Sequence, residues 1–174
     1  KGDEVIIASN AYIASWLSIS NVGATIIPVE PNFNTFNIDV EKIEEKITQK
    51  TKVIMPVHLF GQSCQMDKIM KIAKKYNLYV VEDNAQAHLA KYNSKHTGTF
   101  GEINATSFYP TKNLGAIGEA GCITTNNKNL NDFSIMYRNY GSGKKYINDI
   151  IGTNSRLDEI QACILNIKLK YLQK

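Results

Sequence analysis

Lys112 is the residue of this sequence best placed for covalent chemistry. It follows a short run, A-T-S-F-Y (residues 105–109), that stops at Pro110, and it sits in a turn with Gly115, Gly118 and Gly121 downstream and Gly101 upstream. A lysine delivered by the end of a strand can condense with an aldehyde once its amine is neutral, and desolvation lowers its pKa toward that state. The glycines are expected to leave the turn free in φ and ψ. Three other residues occupy comparable places: Asp83 follows L-Y-V-V-E, Ser107 lies late in A-T-S-F-Y, and Tyr12 falls in the turn after E-V-I-I-A. Singly, each has a plain structural reading: Lys112 as a solvated loop residue, Asp83 as a helix cap, Ser107 as an ordinary strand residue, Tyr12 as core or rim.

The elements that must position these groups alternate. Residues 4–8, 25–29, 52–57, 78–81, 105–109 and 122–125 read as short apolar strands. Between them, helical patterns run over residues 12–21, with Ser9 and Asn10 suited to cap it, and from Asp39 with Val40, Ile43 and Ile47 in helical spacing. A third covers residues 66–76, with Met66, Ile69, Met70 and Ala73 on one face, and a fourth runs from residue 129 to about 139. Strands alternating with helices of this length predict an α/β fold with a mainly parallel sheet. Ligands of such sheets bind outside the carboxyl ends of the strands, so an amine, a carboxylate, a hydroxyl and an aromatic ring are expected in one crevice. Pyridoxal 5'-phosphate uses all four: an aldehyde for lysine, a ring nitrogen kept protonated beside a carboxylate, a flat ring for stacking, and a phosphate for hydroxyl and amide donors.

Composition narrows the alternatives. The chain has 174 residues, enough for one domain with a substantial core. Its net charge of +4 comes from basic residues scattered among acidic ones, so neither nucleic acid nor an anionic membrane is an expected partner. No apolar run approaches a membrane span, and the N-terminus lacks a signal-peptide pattern. Cys64, Cys122 and Cys163 form no CxxC pair and no metal-ligand spacing with His58, His88 or His96; free thiols, no metal and a cytoplasmic location are expected. The chain opens on Lys1-Gly2-Asp3 and closes within a helical pattern at Gln173-Lys174, so a piece of a larger protein is expected. That last pattern, from Ser155 onward, carries Leu157, Ile160, Ile164, Ile167 and Tyr171 on one stripe and Leu165, Leu169 and Leu172 on a second. Burying both calls for a further domain or a partner subunit.

The segments P-V-H-L-F-G-Q, V-V-E-D-N-A-Q-A-H, S-F-Y-P-T-K-N-L-G-A and N-S-R-L-D-E-I-Q-A, in this order, resemble the DegT/DnrJ/EryC1/StrS family of sugar aminotransferases. The resemblance spans the chain. It implies the three-layer large domain of fold-type I pyridoxal-phosphate enzymes over residues 1–174, here incomplete, without the N-terminal phosphate-binding turn or the C-terminal small domain. It further implies that Lys112 bonds the cofactor as an imine, Asp83 pairs with the pyridinium nitrogen, Gln86 bonds the ring hydroxyl oxygen, Ser107 the phosphate, and Tyr12 stacks on the ring. Asn154 would reach the phosphate from the facing subunit of a homodimer, and Arg156 would receive the amino donor's carboxylate, a task suited to a planar guanidinium. His88 either touches the sugar or is a satisfied structural histidine; His58 is read as structural.

Two departures from the family pattern stand out. Gly118-Glu119-Ala120-Gly121 replaces the usual Gly-Asp-Gly-Gly, and His88-Leu89 replaces the usual His-Gly, so the added side chains at Ala120 and Leu89 are expected to disturb loops near the cofactor. The activity implied is transfer of the amino group of glutamate to a keto group of a nucleotide-linked deoxysugar. A-Q-A-H and N-Y-G-S-G-K-K-Y resemble the branch acting on dTDP-3-keto-6-deoxyhexoses. The alternatives are a 4-keto sugar transaminase of the same framework and a truncated, inactive member; the presence of Lys112 argues against the family's dehydratase variant, in which the lysine is replaced.

Overall fold

A computed structural model describes residues 1–173. Five short strands, β1 (Glu4–Ala8), β2 (Thr25–Val29), β3 (Thr51–Met55), β4 (Tyr79–Asp83) and β7 (Ile103–Ser107), pair in parallel in the order β2-β1-β3-β4-β7, and β8 (Gly121–Thr124) closes the edge antiparallel to β7. A parallel sheet needs cover on both faces, and the near-continuous apolar runs supply it. From β1, Ile6 and Ala8 enter one core cluster with Ile54, Val80 and the Met66, Ile69, Ile72 and Ala73 face of α2 (Met66–Tyr76). Val5 and Ile7 point the other way, into a cluster with Ile19 of α1 (Ile13–Asn21), Val57 and Leu59. The result is helix, sheet, helix: three layers, as the resemblance implies.

Local chemistry sets the element ends. Gly23, at φ +72, stops α1, and Asn77, left-handed at φ 53, stops α2. Two expectations are corrected. The segment after Asp39 is not an α-helix but two 3₁₀ turns, Val40–Lys42 and Glu44–Lys46; Asp39 caps the first through the Glu41 amide, and the chain must then extend to enter β3. Neither Ser9 nor Asn10 caps α1: its N-cap is Tyr12, with no side-chain cap bond, and the Asn10 amide donates to the Phe36 carbonyl instead. Two small hairpins also enter the fold, β5 (Lys91–Tyr92) with β6 (Lys95–His96), and β9 (Ser142–Lys144) with β10 (Ile147–Asn148). They flank α3 (Lys128–Tyr137) in sequence, and α4 (Glu159–Leu169) ends the described chain; Lys174 lies outside the described residues. Among the described residues no helix is long and apolar enough to cross a membrane.

The sheet is pinned at its middle by a buried carboxylate. Glu82 of β4 is inaccessible to solvent, as is His58, whose Nε2 donates to Glu82 Oε2 at 2.9 Å. The tautomer follows from the other ring nitrogen: His58 Nδ1 accepts the Cys64 N–H at 3.1 Å. Gly98 N–H also donates to Oε2, at 2.7 Å, while Phe100 and Gly101 N–H groups donate to Oε1 at 2.6 and 2.7 Å. Burial disfavours the charged carboxylate, but the bonds from His58, Gly101 and Gly98 outweigh it and hold Glu82 below the ordinary glutamate value. Burial, with the Glu82 charge adding to it, pushes the neighbouring Cys64 thiol up to about 12.

Because Glu82 is lowered, its contribution to stability is fully present above the ordinary glutamate pKa and is lost as pH falls through the lowered one. Glu82→Gln replaces an acceptor of four hydrogen bonds with a neutral amide and is expected to cost about 3 kcal/mol at neutral pH. Denaturant unfolding measured against pH checks both statements: the acid-side slope seen in the parent protein is expected to flatten in Glu82→Gln.

Candidate active site

Strand alternation turns Glu82 into the α2-side core, so the next residue, Asp83, faces the α1 side. There Asp83 Oδ2 accepts the Ser15 hydroxyl of α1 at 2.6 Å and Oδ1 accepts the Ala85 N–H at 3.0 Å. An ionised carboxylate has about four acceptor positions, so both oxygens keep capacity for an outside donor. Its backbone is fixed as well: N–H to the Pro56 carbonyl at 2.9 Å, and carbonyl from the His58 N–H at 3.1 Å. Tyr12 precedes Ser15 by one helical turn and is 69 % exposed, its ring open to a flat ligand.

The segment after β4 then meets the loops after β3 and β7. Gln86 Oε1 accepts the Phe60 N–H at 2.8 Å, which leaves the Gln86 NH₂ as the free, donating end. Phe60 reaches it from a left-handed turn, φ 57, followed by Gly61 at φ +78. His88 Nε2 donates to the Ser107 carbonyl at 3.0 Å, and its ring stacks on Phe108 with centroids 5.7 Å apart. Among the described residues its buried Nδ1 finds no hydrogen-bond partner. The Ser107 hydroxyl accepts the Tyr109 N–H at 3.2 Å, and register places Asp83 beside Ala105, two residues upstream. Lys112, partly buried, is held by its N–H to the Tyr109 carbonyl at 2.9 Å. Burial, and after it the Lys112 charge, hold His88 below the ordinary histidine value against the raising effect of the bond to the Ser107 carbonyl.

The structure therefore gathers Asp83, Gln86, Ser107, Lys112 and His88 around the ends of β4 and β7, with Tyr12 joined through Ser15. The bonds of Asn154 and Arg156 lie elsewhere. Asn154 Oδ1 accepts Arg156 Nε at 3.0 Å, Asn139 Oδ1 accepts Arg156 Nη1 at 3.5 Å, and the guanidinium lies 5.4 Å from the centre of the Tyr140 ring. Among the described residues, no hydrogen bond links this pair to the strand-end group. Ser15 and the Phe60 amide are the supports that sequence reading misses. Ser15 lies one turn from Tyr12, a spacing that puts both on one side of α1, but its partner is distant in sequence and gives no local signal.

The glycines and the departures take on definite roles. None of Gly101, Gly115, Gly118 and Gly121 has a positive φ, so they do not serve the free backbone expected of them. Close approach is what they provide: a Cβ at Gly101 would lie 2.5 Å from the Val80 carbonyl oxygen, and one at Gly115 would lie 2.4 Å from that of Pro110. Ala120 keeps an ordinary φ and packs its methyl against the cluster of Leu114, Ala116 and Leu165, so its Cβ fits. Leu89 does not fit as well. Its φ of +62 is the left-handed region that favours glycine, at a cost of roughly 1–2 kcal/mol for a side chain with Cβ.

The donor set fits pyridoxal 5'-phosphate: an amine, a carboxylate with free acceptor positions, an amide NH₂, a hydroxyl and an open aromatic ring converge from different strand ends. Comparison with known proteins points the same way. The sequence model of the DegT/DnrJ/EryC1/StrS aminotransferase family matches residues 1–174. A curated relative from Aneurinibacillus thermoaerophilus, dTDP-3-amino-3,6-dideoxy-alpha-D-galactopyranose transaminase, is 62% identical over 171 residues, 98% of this chain and 47% of its own. The crystal structure of S. venezuelae DesV in complex with a ketimine intermediate superimposes with a TM-score of 0.95 at 46% identity, covering 99% of this chain and 46% of that one. A Bacillus subtilis structure, NtdA with bound cofactor PMP, gives a TM-score of 0.90 at 38% identity over 98% of this chain and 39% of that one. The chain thus spans about half the length of the curated relatives it matches.

The effect of the Lys112 charge on His88 is directly measurable. In an NMR titration His88 is expected to titrate below ordinary histidine, and Lys112→Met is expected to move it upward but not fully back, since burial remains. An unchanged His88 titration in Lys112→Met would contradict the geometry.

Proposed function

This chain belongs to the DegT/DnrJ/EryC1/StrS aminotransferase family, and on that premise we propose that its protein moves the amino group of glutamate to a keto group of a nucleotide-linked deoxysugar. The observation that carries the reading is the convergence of Lys112, Asp83, Gln86 and Ser107 at the ends of β4 and β7. Residues 1–174 are read as the domain that holds pyridoxal 5'-phosphate. When bound, that group supplies the electron sink for the pair released as a Cα–H bond breaks.

Each residue then has a task set by its chemistry. Lys112 holds the cofactor in the resting enzyme and, once displaced by the amino donor, its amine accepts and returns the Cα proton. Asp83, held by Ser15 and the Ala85 amide, keeps a proton on the ring nitrogen, which favours negative charge developing on the carbon skeleton. Gln86 donates its free NH₂ to the ring oxygen, Ser107 offers its hydroxyl to the phosphate, and Tyr12 covers a face of the ring. Arg156 receives the carboxylate of glutamate in a two-point bond. Because Asn154 and Arg156 bond to one another and to Asn139, away from Lys112, a homodimer in which they complete the partner's site accommodates them best. His88, tied to the Ser107 carbonyl, holds the β7 end in place and lies where a sugar would enter. The name of the Aneurinibacillus relative favours a dTDP-3-keto-6-deoxyhexose as acceptor. Three free cysteines favour the cytoplasm, where nucleotide sugars are made into amino sugars for surface polysaccharide.

The full chain, incubated with pyridoxal 5'-phosphate and then borohydride, is expected to carry the label on the Lys112 peptide. Lys112→Ala is expected to lose the label and at least a hundredfold in amino transfer, the scale of a positioned proton-transfer group. Asp83→Asn is expected to keep the label and lose roughly a hundredfold or more in rate, as when a charge-stabilising group is neutralised. A label confined to any other lysine would contradict the assignment.

A further inference from the structure

The lysine turn is closed at its neck by Phe108, whose N–H donates to the Ala120 carbonyl at 2.8 Å and whose carbonyl accepts the Ala116 N–H at 2.8 Å. Beyond the neck its support comes from a distant element, α4. Gln161 Oε1 accepts the Ile117 N–H at 3.0 Å across 44 residues, and Lys168 Nζ donates to the Gly115 carbonyl. Between them Leu165, 8 % exposed, packs on Leu114 and Ala116, with Leu172 one further step along. Positions 161, 165 and 168 follow the four- and three-residue steps of one helix face, so a single face of α4 grips the turn, with Leu172 just past the helix end. The approach is close: a Cβ at Gly118 would lie 2.8 Å from Gln161 Nε2. The other apolar stripe, with Ile160 at 68 % and Ile167 at 54 % exposed, stays largely open to solvent.

We propose that Gln161 and Lys168 are positioning residues for Lys112, holding its turn so that the amine stays over the crevice formed by Asp83 and Ser107. The proposal rests on the reading of Lys112 as the cofactor-bearing lysine. Neither residue touches the reacting atoms. They act by satisfying a backbone donor at Ile117 and an acceptor at Gly115 on the far side of the turn, which limits the conformations open to the residues between Phe108 and Ala120. A turn released from α4 would keep its neck but spread Lys112 over more positions, lowering the fraction of time its amine is placed to react.

The test uses the full chain. Gln161→Met keeps the side-chain length and removes the acceptor, Gln161→Glu keeps an acceptor oxygen, and Lys168→Met removes the second tie. Two quantities are read: hydrogen exchange of the Ile117 amide without cofactor, with the Val80 amide of β4 as a reference for global opening, and the rate at which pyridoxal 5'-phosphate becomes borohydride-fixed to Lys112. In that assay the amine adds to the aldehyde carbon, water leaves, and borohydride supplies the hydride that fixes the C–N bond. Gln161→Met is expected to speed exchange at Ile117 but not at Val80 and to slow fixation about fivefold, the factor set by one net hydrogen bond. Gln161→Glu is expected to restore both, and Lys168→Met to slow fixation to a similar extent with Ile117 still protected. Parent-like fixation rates in Gln161→Met and Lys168→Met, with Lys112 labelled in the parent, would overturn the proposal alone. Should Gln161→Met fail to fold, Lys168→Met decides the matter by the same rate. Absence of label at Lys112 in the parent protein would instead overturn the lysine reading, and the positioning role with it.

Discussion

A carboxylate with no access to water is the constraint on which this structure depends. Glu82 sits in the middle of the sheet, where a lone charge would be costly, and only a complete set of donors makes it tolerable. His58 brings one from the end of β3; Gly98, Phe100 and Gly101 bring three from the loop that leads into β7. The same loop is locked to β4 by Gly101, which has no room for a side chain against the Val80 carbonyl, and by Asn104, whose Oδ1 accepts the Glu82 N–H at 3.3 Å and whose amide donates to the Gly98 and Thr124 carbonyls. Satisfying one ion thus fixes where β3, β4, β7 and β8 stand relative to one another.

The neighbouring residue inherits that precision. A strand turns successive side chains to opposite faces, so the more firmly Glu82 is held on one side, the more firmly Asp83 is presented on the other. Asp83 meets Ser15 from α1 there, and through α1 the position of Tyr12 is set. The second half of the site hangs from β7: Ser107 continues it, Phe108 closes the neck of the lysine turn, and His88 ties the segment after β4 to the Ser107 carbonyl. A rigid sheet with loops stitched across its carboxyl ends is the arrangement that places reactive groups without burying them.

Much of this is legible in the sequence. The β-branched runs mark the strands, although β4 runs on to Asp83 and β7 stops at Ser107, each end two residues from where the apolar run ends, and α2 is found with its bounds because its apolar spacing and Asn77 agree. What escapes reading is long-range. Glu82 and Asp83 look alike as adjacent acids; nothing local says that the first is the buried one, since its donors lie 16 to 24 residues away. The two small hairpins carry no apolar alternation to signal them, and the segment after Asp39 has helical spacing yet folds as two 3₁₀ turns, with the backbone already extended at Ile47. The second stripe of α4 suggests an outside partner, yet Leu165 is used within the chain, on the lysine turn. Gln161 and Lys168 become meaningful only once that turn is seen against them.

The central claim is that the Glu82-anchored sheet presents Asp83 and Lys112 to the same ligand. A crystal structure of the full chain grown with pyridoxal 5'-phosphate tests it most directly. The account predicts continuous density from Lys112 Nζ into the cofactor, with the Asp83 carboxylate facing the ring nitrogen. Cofactor bound away from the ends of β4 and β7, with Lys112 unattached and Asp83 facing only Ser15 and Ala85, would contradict it.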